Sequence, residues 1–443
     1  MKQLYHHGRR AFLALLAIVV FSSPLRAQNR QIDESLQQLF ATAEKNNTSL
    51  RQLKAATSEA TAGIDAARAD RLPDISASVA FSYNGNARIW DRNFSNGFSA
   101  ATPHFGNNYA LKASQVVYAG GAIDASIRLA EQGAQKTILA TEQARQGVRF
   151  ALTGLYLQLH VLANRENVYR ENAALAETLI RQTQDRRNQG TALQNDITRY
   201  ELQHEQMLLG ATQTEDARRI AAYQLATVLG SDSAVHLLPA EAFVEGNEAN
   251  KSLDLWLQEA SAARTDIKQA DLDVKMSQTK EKLERSARLP KLAIVAEDQL
   301  NGPITYEVPP LNKNINFWYV GVGITYNFSS LYKNNRRIRQ ARLATQTAQA
   351  AQLSVADKVR DEVQKACIDY ETAQSTLRTQ KKNVELAASN YSVVAHRYAN
   401  GLALITDMTD AANVKLSAEL ALADARINLV YCYYALLYAA GQL

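Results

Sequence analysis

Cysteine is almost missing from this chain: Cys367 and Cys432 are the only two in 443 residues. Two thiols cannot build a disulfide framework or a cysteine zinc site. They lie about equally far from Gly401 on apparent antiparallel helices, so they form either one bridge or, the favoured reading, two buried thiols. The seven histidines are scattered, and no HExxH, GxSxG, CxxC or phosphate-cradling loop occurs. Catalysis, a metal and a cofactor are therefore not expected. Long apolar runs are missing too. Ala11 to Phe21 is too short to span a bilayer, and no long apolar helix is expected after it. Arg9 and Arg10 before that run, and Ser22-Ser23-Pro24 with a cut after Ala27 beyond it, read as a signal peptide over 1–27. Removing that segment takes away Lys2, Arg9, Arg10 and Arg26 and no acid, which leaves 45 bases against 44 acids. A balanced surface gives no reason to expect a nucleic-acid partner.

What the chain has in abundance is itself. Arg186, Gly190, Leu193, Asp196, Thr198, Tyr223, Leu225 and Gly230 recur 211 residues later as Arg397, Gly401, Leu404, Asp407, Thr409, Tyr434, Leu436 and Gly441. Arg71-Leu72-Pro73 returns as Arg288-Leu289-Pro290, 217 residues on. Two copies of one unit are expected, 28–230 and 253–443, joined by a polar linker over 231–252.

Each copy reads as helix, strand, strand, long helix, long helix. Residues 33–70 carry Leu36, Leu39, Ala43, Leu50 and Leu53 at helical spacing until Pro73 ends the pattern. The period then changes to two, with Ile75, Ala77, Val79, Phe81 and Tyr83 on one face of a strand over about 74–85. A loop rich in Asn, Gly and aromatics leads to a second strand over about 108–118. Residues 120–230 are mostly Ala, Gln, Leu, Glu and Arg without proline, as in coiled coils, with a hairpin tip near Gly190. The second copy gives a helix over 253–287, strands over about 289–299 and 316–328, and a hairpin over 333–441 with its tip near Gly401. A helix of about 65 residues is roughly 100 Å long.

Trp318, Val320, Val322, Ile324, Tyr326 and Phe328 share one face of the fourth strand, while Tyr319, Gly321, Gly323, Thr325 and Asn327 share the other. One face suits lipid and the other is small or polar, the alternation of outer-membrane barrel strands. Four strands cannot close, and an open edge cannot sit in hydrocarbon. Eight strands from two chains leave a filled interior, whereas twelve from three leave a lumen. The expected fold is therefore mainly α with membrane β. A homotrimer would form a twelve-stranded β-barrel continuous with a long α-helical barrel in the periplasm. Lys112 is expected to face the lumen.

The run Tyr398-Ala399-Asn400-Gly401-Leu402-Ala403-Leu404-Ile405-Thr406-Asp407-Met408-Thr409-Asp410 resembles the second hairpin tip of the TolC-like outer-membrane efflux protein family, also called outer membrane factors. Gly190-Thr191-Ala192-Leu193-Gln194-Asn195-Asp196 is similar to the first tip. The resemblance spans residue 31 to the end. It implies a channel through the outer membrane and periplasm, the exit duct of a tripartite efflux or type I secretion system. The implied partners are a periplasmic adaptor (membrane fusion) protein, an inner-membrane pump of RND or ABC type, and outer-membrane lipid. By the same resemblance Asp407 and Asp410 form an acidic, cation-sensitive gate, two carboxylates on one helix face. The bland alternative makes Asp407 or Thr406 a helix N-cap. Arg199 stands where the first repeat would carry Asp410, so it could blunt that charge. Tyr398 and Asp196 match members of the family's gate lock, in which Asn195 stands at the place of a threonine and Ala403 at that of an arginine. Gly190, Leu193, Gly401, Leu402 and Leu404 match the tip that adaptors dock against. The alternative reading is an exported trimeric coiled-coil scaffold or adhesin without transport.

Overall fold

The computed structural model describes residues 36–231, 251–307 and 310–443. The expected signal peptide and nearly all of the expected linker lie outside them. The chain opens with α1 (Leu36–Asn46) and α2 (Thr48–Ala69), where one helix over 33–70 was expected. The break falls at Asn47, whose backbone leaves the helical region at φ −59°, ψ 126°. Its Oδ1 accepts from Leu50 N at 3.1 Å, and its Nδ2 donates to Val228 O at 2.9 Å. The second copy breaks at the matching place, Arg264 (φ −57°, ψ 124°), into α5 (Leu253–Ala263) and α6 (Thr265–Ser286). Arg264 there reaches Asp266 at 2.6 Å and Glu362 at 2.7 Å. Apolar spacing runs through both breaks, and neither carries the proline or glycine that would mark it.

The strands are β1 (Asp74–Tyr83), β2 (Ala87–Ile89), β3 (Phe98–Ala100), β4 (Phe105–Tyr118), β5 (Lys291–Gly302) and β6 (Ile315–Thr325). β2 and β3 form a small hairpin inside the first loop, which was expected to be plain loop. The others make one antiparallel sheet in the order β1-β4-β5-β6. β5 begins two residues later than expected because Pro290 has no N–H to give a ladder. β6 stops at Thr325, where Asn327 Oδ1 takes Ser329 N at 3.1 Å and turns the chain, so Tyr326 and Phe328 lie beyond the ladder.

The register sorts the sheet into two faces. Ile75, Val79, Phe81 and Tyr83 stand with Tyr109, Leu111, Ile294, Leu300, Trp318, Val320, Val322 and Ile324. Nearly all are exposed, with Trp318 at 72 % and Ile324 at 73 %. The opposite face carries a cross-strand row Ser76, Lys112, Glu297 and Tyr319, in which Tyr319 Oη donates to Glu297 at 2.7 Å. Lys112 is on the polar face.

Below the sheet run α3 (Ala122–Asn188), α4 (Gln194–Leu229), α7 (Ser330–Ala399) and α8 (Ile405–Ala439). At 67 and 70 residues, α3 and α7 each reach roughly 100 Å. α2 packs on α3, α3 on α6 and α6 on α7, so these helices keep the order of the strands they join. Leu39, Leu152, Tyr156, Leu157 and Leu225 form one core, and Trp256, Val363 and Leu436 form another at equivalent positions. α8 corrects an expectation, for its 35 residues, at a hydropathy of 1.2 over its most apolar window, are long and apolar enough to cross a membrane. Helix packing within the chain takes up part of that composition: Leu416, Ala425, Ile427, Cys432, Leu436 and Ala439 are buried, and 28 % of the most apolar window is. Cys367 and Cys432 are free thiols, and burial pushes both up from the usual thiol range.

Candidate functional site

Both hairpin tips turn on a glycine in the left-handed region, Gly190 at φ +75° and Gly401 at φ +72°. Gly190 N bonds Arg187 O at 2.9 Å and Thr191 N bonds Arg186 O at 2.9 Å; Gly401 N bonds Tyr398 O at 3.1 Å and Leu402 N bonds Arg397 O at 2.8 Å. These bonds close the last helical carbonyls, and a side chain at either glycine would strain the turn.

The returning helices start alike. Leu193 N donates to Asp196 Oδ2 at 3.0 Å, and Leu404 N donates to Asp407 Oδ2 at 3.0 Å. Asp196 N and Asp407 N bond back to Leu193 O and Leu404 O, each at 3.1 Å. The N-caps are therefore leucines, and each aspartate sits at the third helical position, where an acid satisfies the cap N–H and faces the positive helix end. Neither Asp407 nor Thr406 is the N-cap. Asp407 and Asp410 are both exposed, as is Arg199. Among the described residues no ion pair joins Arg199 to Asp410.

Of the expected lock residues, Tyr398 and Asp196 both lie close enough to Tyr200 to act on its phenol, in company the sequence did not announce. Tyr398, in the last turn of α7, lies under the Arg186 guanidinium, 5.0 Å from its ring centroid. Arg186 Nη1 also approaches Tyr398 O at 3.5 Å. Tyr200 of α4 is fully buried beside them. Burial first, then the phenols of Tyr398 and Tyr391 and the carboxylate of Asp196, push its own phenol far above the usual range. One face of α7 further along, Tyr391 carries Lys415 of α8 at 5.2 Å. So α3, α4, α7 and α8 converge on three tyrosines flanked by two cations. Asn195 is exposed. The seven-residue spacing of Tyr391 and Tyr398 was the available signal, but nothing in one sequence says which helix covers them.

Leu193, Leu402 and Leu404 are exposed at the tips at 71 %, 68 % and 69 %. Among the described residues no cluster of three or more His, Cys, Asp or Glu is arranged for a metal.

A sheet with one apolar, exposed face, set on two long helical hairpins, defines a protein of mixed membrane-type sheet and extended helical body. The outer membrane efflux protein family model matches residues 39–231 and 256–442, both repeats, and the chain belongs to that family. It is an outer-membrane efflux channel. No curated protein sequence matches it. The outer-membrane channel OprN shares its fold at a TM-score of 0.78 and 19 % identity, over 92 % of this chain and 90 % of that one. The outer membrane protein VceC of Vibrio cholerae gives 0.74 and 16 %, over 92 % and 96 %. The open state of the outer membrane channel MtrE of Neisseria gonorrhoeae gives 0.74 and 20 %, over 92 % and 88 %. Nothing in these matches favours a scaffold or adhesin.

Proposed function

We propose that three copies of this chain close into one duct and conduct solutes passively, with Asp407 and Asp410 as the gate. The observation that carries it is the sheet: four strands, an apolar face, and two edges, β1 and β6, with no neighbour among the described residues. Unpaired backbone groups in hydrocarbon cost several kcal/mol each, on the order of the cost of an unmade hydrogen bond. Three sheets in a ring satisfy every edge and leave a lumen of about twelve strands. The polar row through Lys112, Glu297 and Tyr319 then faces water, and the Ile, Val and aromatic face meets lipid.

At the far end, a trimer brings six exposed carboxylates around one axis, a ring that favours cations and repels anions. The cluster of Arg186, Tyr200, Tyr391, Tyr398 and Asp196 ties the second hairpin to the first and supports closure; Arg186 supplies the cation that Ala403 lacks. A tip in water has no use for three exposed leucines, so Leu193, Leu402 and Leu404, turned outward by Gly190 and Gly401, suit docking by the hairpin of a periplasmic adaptor. An inner-membrane pump of the RND or ABC type drives export through that adaptor, in efflux or in type I secretion.

The test is divalent block of single channels in planar bilayers, wild type beside Asp407→Asn/Asp410→Asn. Asparagine keeps an oxygen for the Leu404 N–H while removing charge. Block should weaken at least tenfold, about 1.4 kcal/mol of binding. Unchanged block would remove both acids from the gate.

A further inference from the structure

The two repeats carry opposite charge at one matched place, and we propose that the basic one is a docking surface for anionic glycerophospholipids in the periplasmic leaflet of the outer membrane. The proposal rests on the sheet lying in that membrane, not on the gate.

The place is the collar where strands give way to helices. In the first repeat it comprises residues 63–74, the end of α2 and the turn into β1, and 119–131, the turn out of β4 and the start of α3. The offsets of 217 and 211 residues carry these onto 280–291 and 330–342, the matching parts of α6 and α7. The first collar holds three bases against five acids. Its arginines are engaged within it, Arg68 with Glu131 at 3.0 Å and Arg71 with Asp124 at 2.6 Å. The second collar holds ten bases against two acids. Glu281 there already meets Arg285 at 2.6 Å and Arg342 at 3.7 Å. Among the described residues no ion pair reaches Lys280, Lys282, Lys333, Arg336, Arg337 or Arg339, and α7 has no acid before Asp357. Both collars pooled still give thirteen bases against seven acids per chain, so another copy of the chain cannot supply the missing charge.

The fold alone gives no reason for these cations. Bases in the first turns of a helix oppose its positive end. α3 carries Asp124 in its first turn, whereas α7 has no acid there. The same junction is thus built once without the cations and once with them, which calls for an anion from outside the chain.

The side chains beside the cations say which anion. Tyr326, Phe328, Leu331 and Tyr332 precede them, with Phe328 74 % and Tyr332 66 % exposed and Tyr326 edge-on to Phe328 at 4.9 Å. Their first-repeat equivalents are Gln115, Val117, Gly120 and Gly121. Rings followed by bases match the order in which a bilayer presents its acyl boundary and its phosphates. Tyr332, Arg336, Arg339 and Leu343 are all exposed and recur at helical spacing, on the side of α7 away from buried Asn334, Ile338 and Thr345, so rings and guanidiniums share one face. α7 starts at the sheet, and helical side chains tilt toward the N-terminus, so the cations lean toward the membrane. Lys333, Arg336 and Arg337 lie within about 11 Å of the helix start, within reach of long side chains that snorkel to the headgroups. A water-filled duct would suit the bases but not the exposed apolar side chains among them.

The experiment is native mass spectrometry of the full-length, detergent-extracted oligomer titrated with dioleoyl phosphatidylglycerol or dioleoyl phosphatidylcholine. Wild type is set beside Lys333→Gln/Arg336→Gln/Arg337→Gln/Arg339→Gln and beside a control that removes four bases lower on α7, Lys358→Gln/Arg360→Gln/Lys365→Gln/Lys382→Gln. Wild type and control should bind phosphatidylglycerol about tenfold more tightly than phosphatidylcholine, and the collar variant should lose that preference. Equal binding of the two lipids by wild type, or a preference that survives in the collar variant, overturns the proposal. Displacement of bound phosphatidylglycerol by an equal concentration of inorganic phosphate overturns it in favour of a site for free phosphate. A collar variant that keeps its lipid preference but changes the anion selectivity of single channels places the cations in the lumen instead. Should the fourfold variant fail to assemble by native mass, Arg336→Gln/Arg339→Gln asks the same question, with weaker phosphatidylglycerol binding expected and unchanged binding counting against the dock.

Discussion

Asp407 and Asp410 share a helix face but not a duty. Asp407 spends one oxygen on the Leu404 N–H, whereas Asp410 makes no such bond. Asp407→Ala should therefore cost about 1 kcal/mol of stability as a lost cap, and Asp410→Ala next to nothing, when chemical denaturation of the two is compared. The spacing of the two acids was legible in the sequence; the cap was not, because a leucine stands where a capping side chain would be sought. Arg186 was missed for a related reason, since its work is done across helices on Tyr398. Arg186→Leu, which keeps a bulky side chain but loses the cation over the ring, should raise the open probability of single channels; an unchanged closed state would remove the clasp from the gate. His160 offers a pH signature. It is 5 % exposed against Tyr156, and burial lowers its pKa from 6.5 to about 4. The fold favours neutral imidazole, so the full stability holds above pH 6.5 and is lost as pH falls towards about 4, by roughly 3 kcal/mol. His160→Gln should flatten the fall in melting temperature between pH 7 and 4.5.

Two helices were taken for one in each repeat because amphipathic spacing survives the breaks at Asn47 and Arg264. What stops the helix is tertiary: Asn47 holds Val228 O, and Arg264 sits between Asp266 and Glu362. Burial alone would raise the Asp266 carboxyl, but the bond to Arg264 prevails and holds it below the usual range. Arg264→Ala leaves those acids uncompensated in a half-buried site and should destabilise the second repeat by about 3 kcal/mol, read as faster amide exchange in α5 and α6 than in α1 and α2. α8 shows the opposite case, a composition fit for a membrane used for packing among helices, which composition alone cannot distinguish. Strand ends slid for local causes, Pro290 at one and Asn327 at the other.

The duplication makes most of the architecture legible in the sequence, since two matched tips and two matched Arg-Leu-Pro anchors demand two like units. Face alternation then gave a sheet with one apolar side, and the ladders bear out that sorting of residues. Neither shows the ring itself, because closure belongs to surfaces that one chain leaves open, the edges β1 and β6 above all. The central claim is that these surfaces close around a water-filled path. Single-channel recording of the extracted wild-type oligomer in planar bilayers tests it most directly. Discrete, cation-selective openings, lengthened by Asp407→Asn/Asp410→Asn, are the predicted result; an intact trimer that passes no current, with or without those acids, would contradict it.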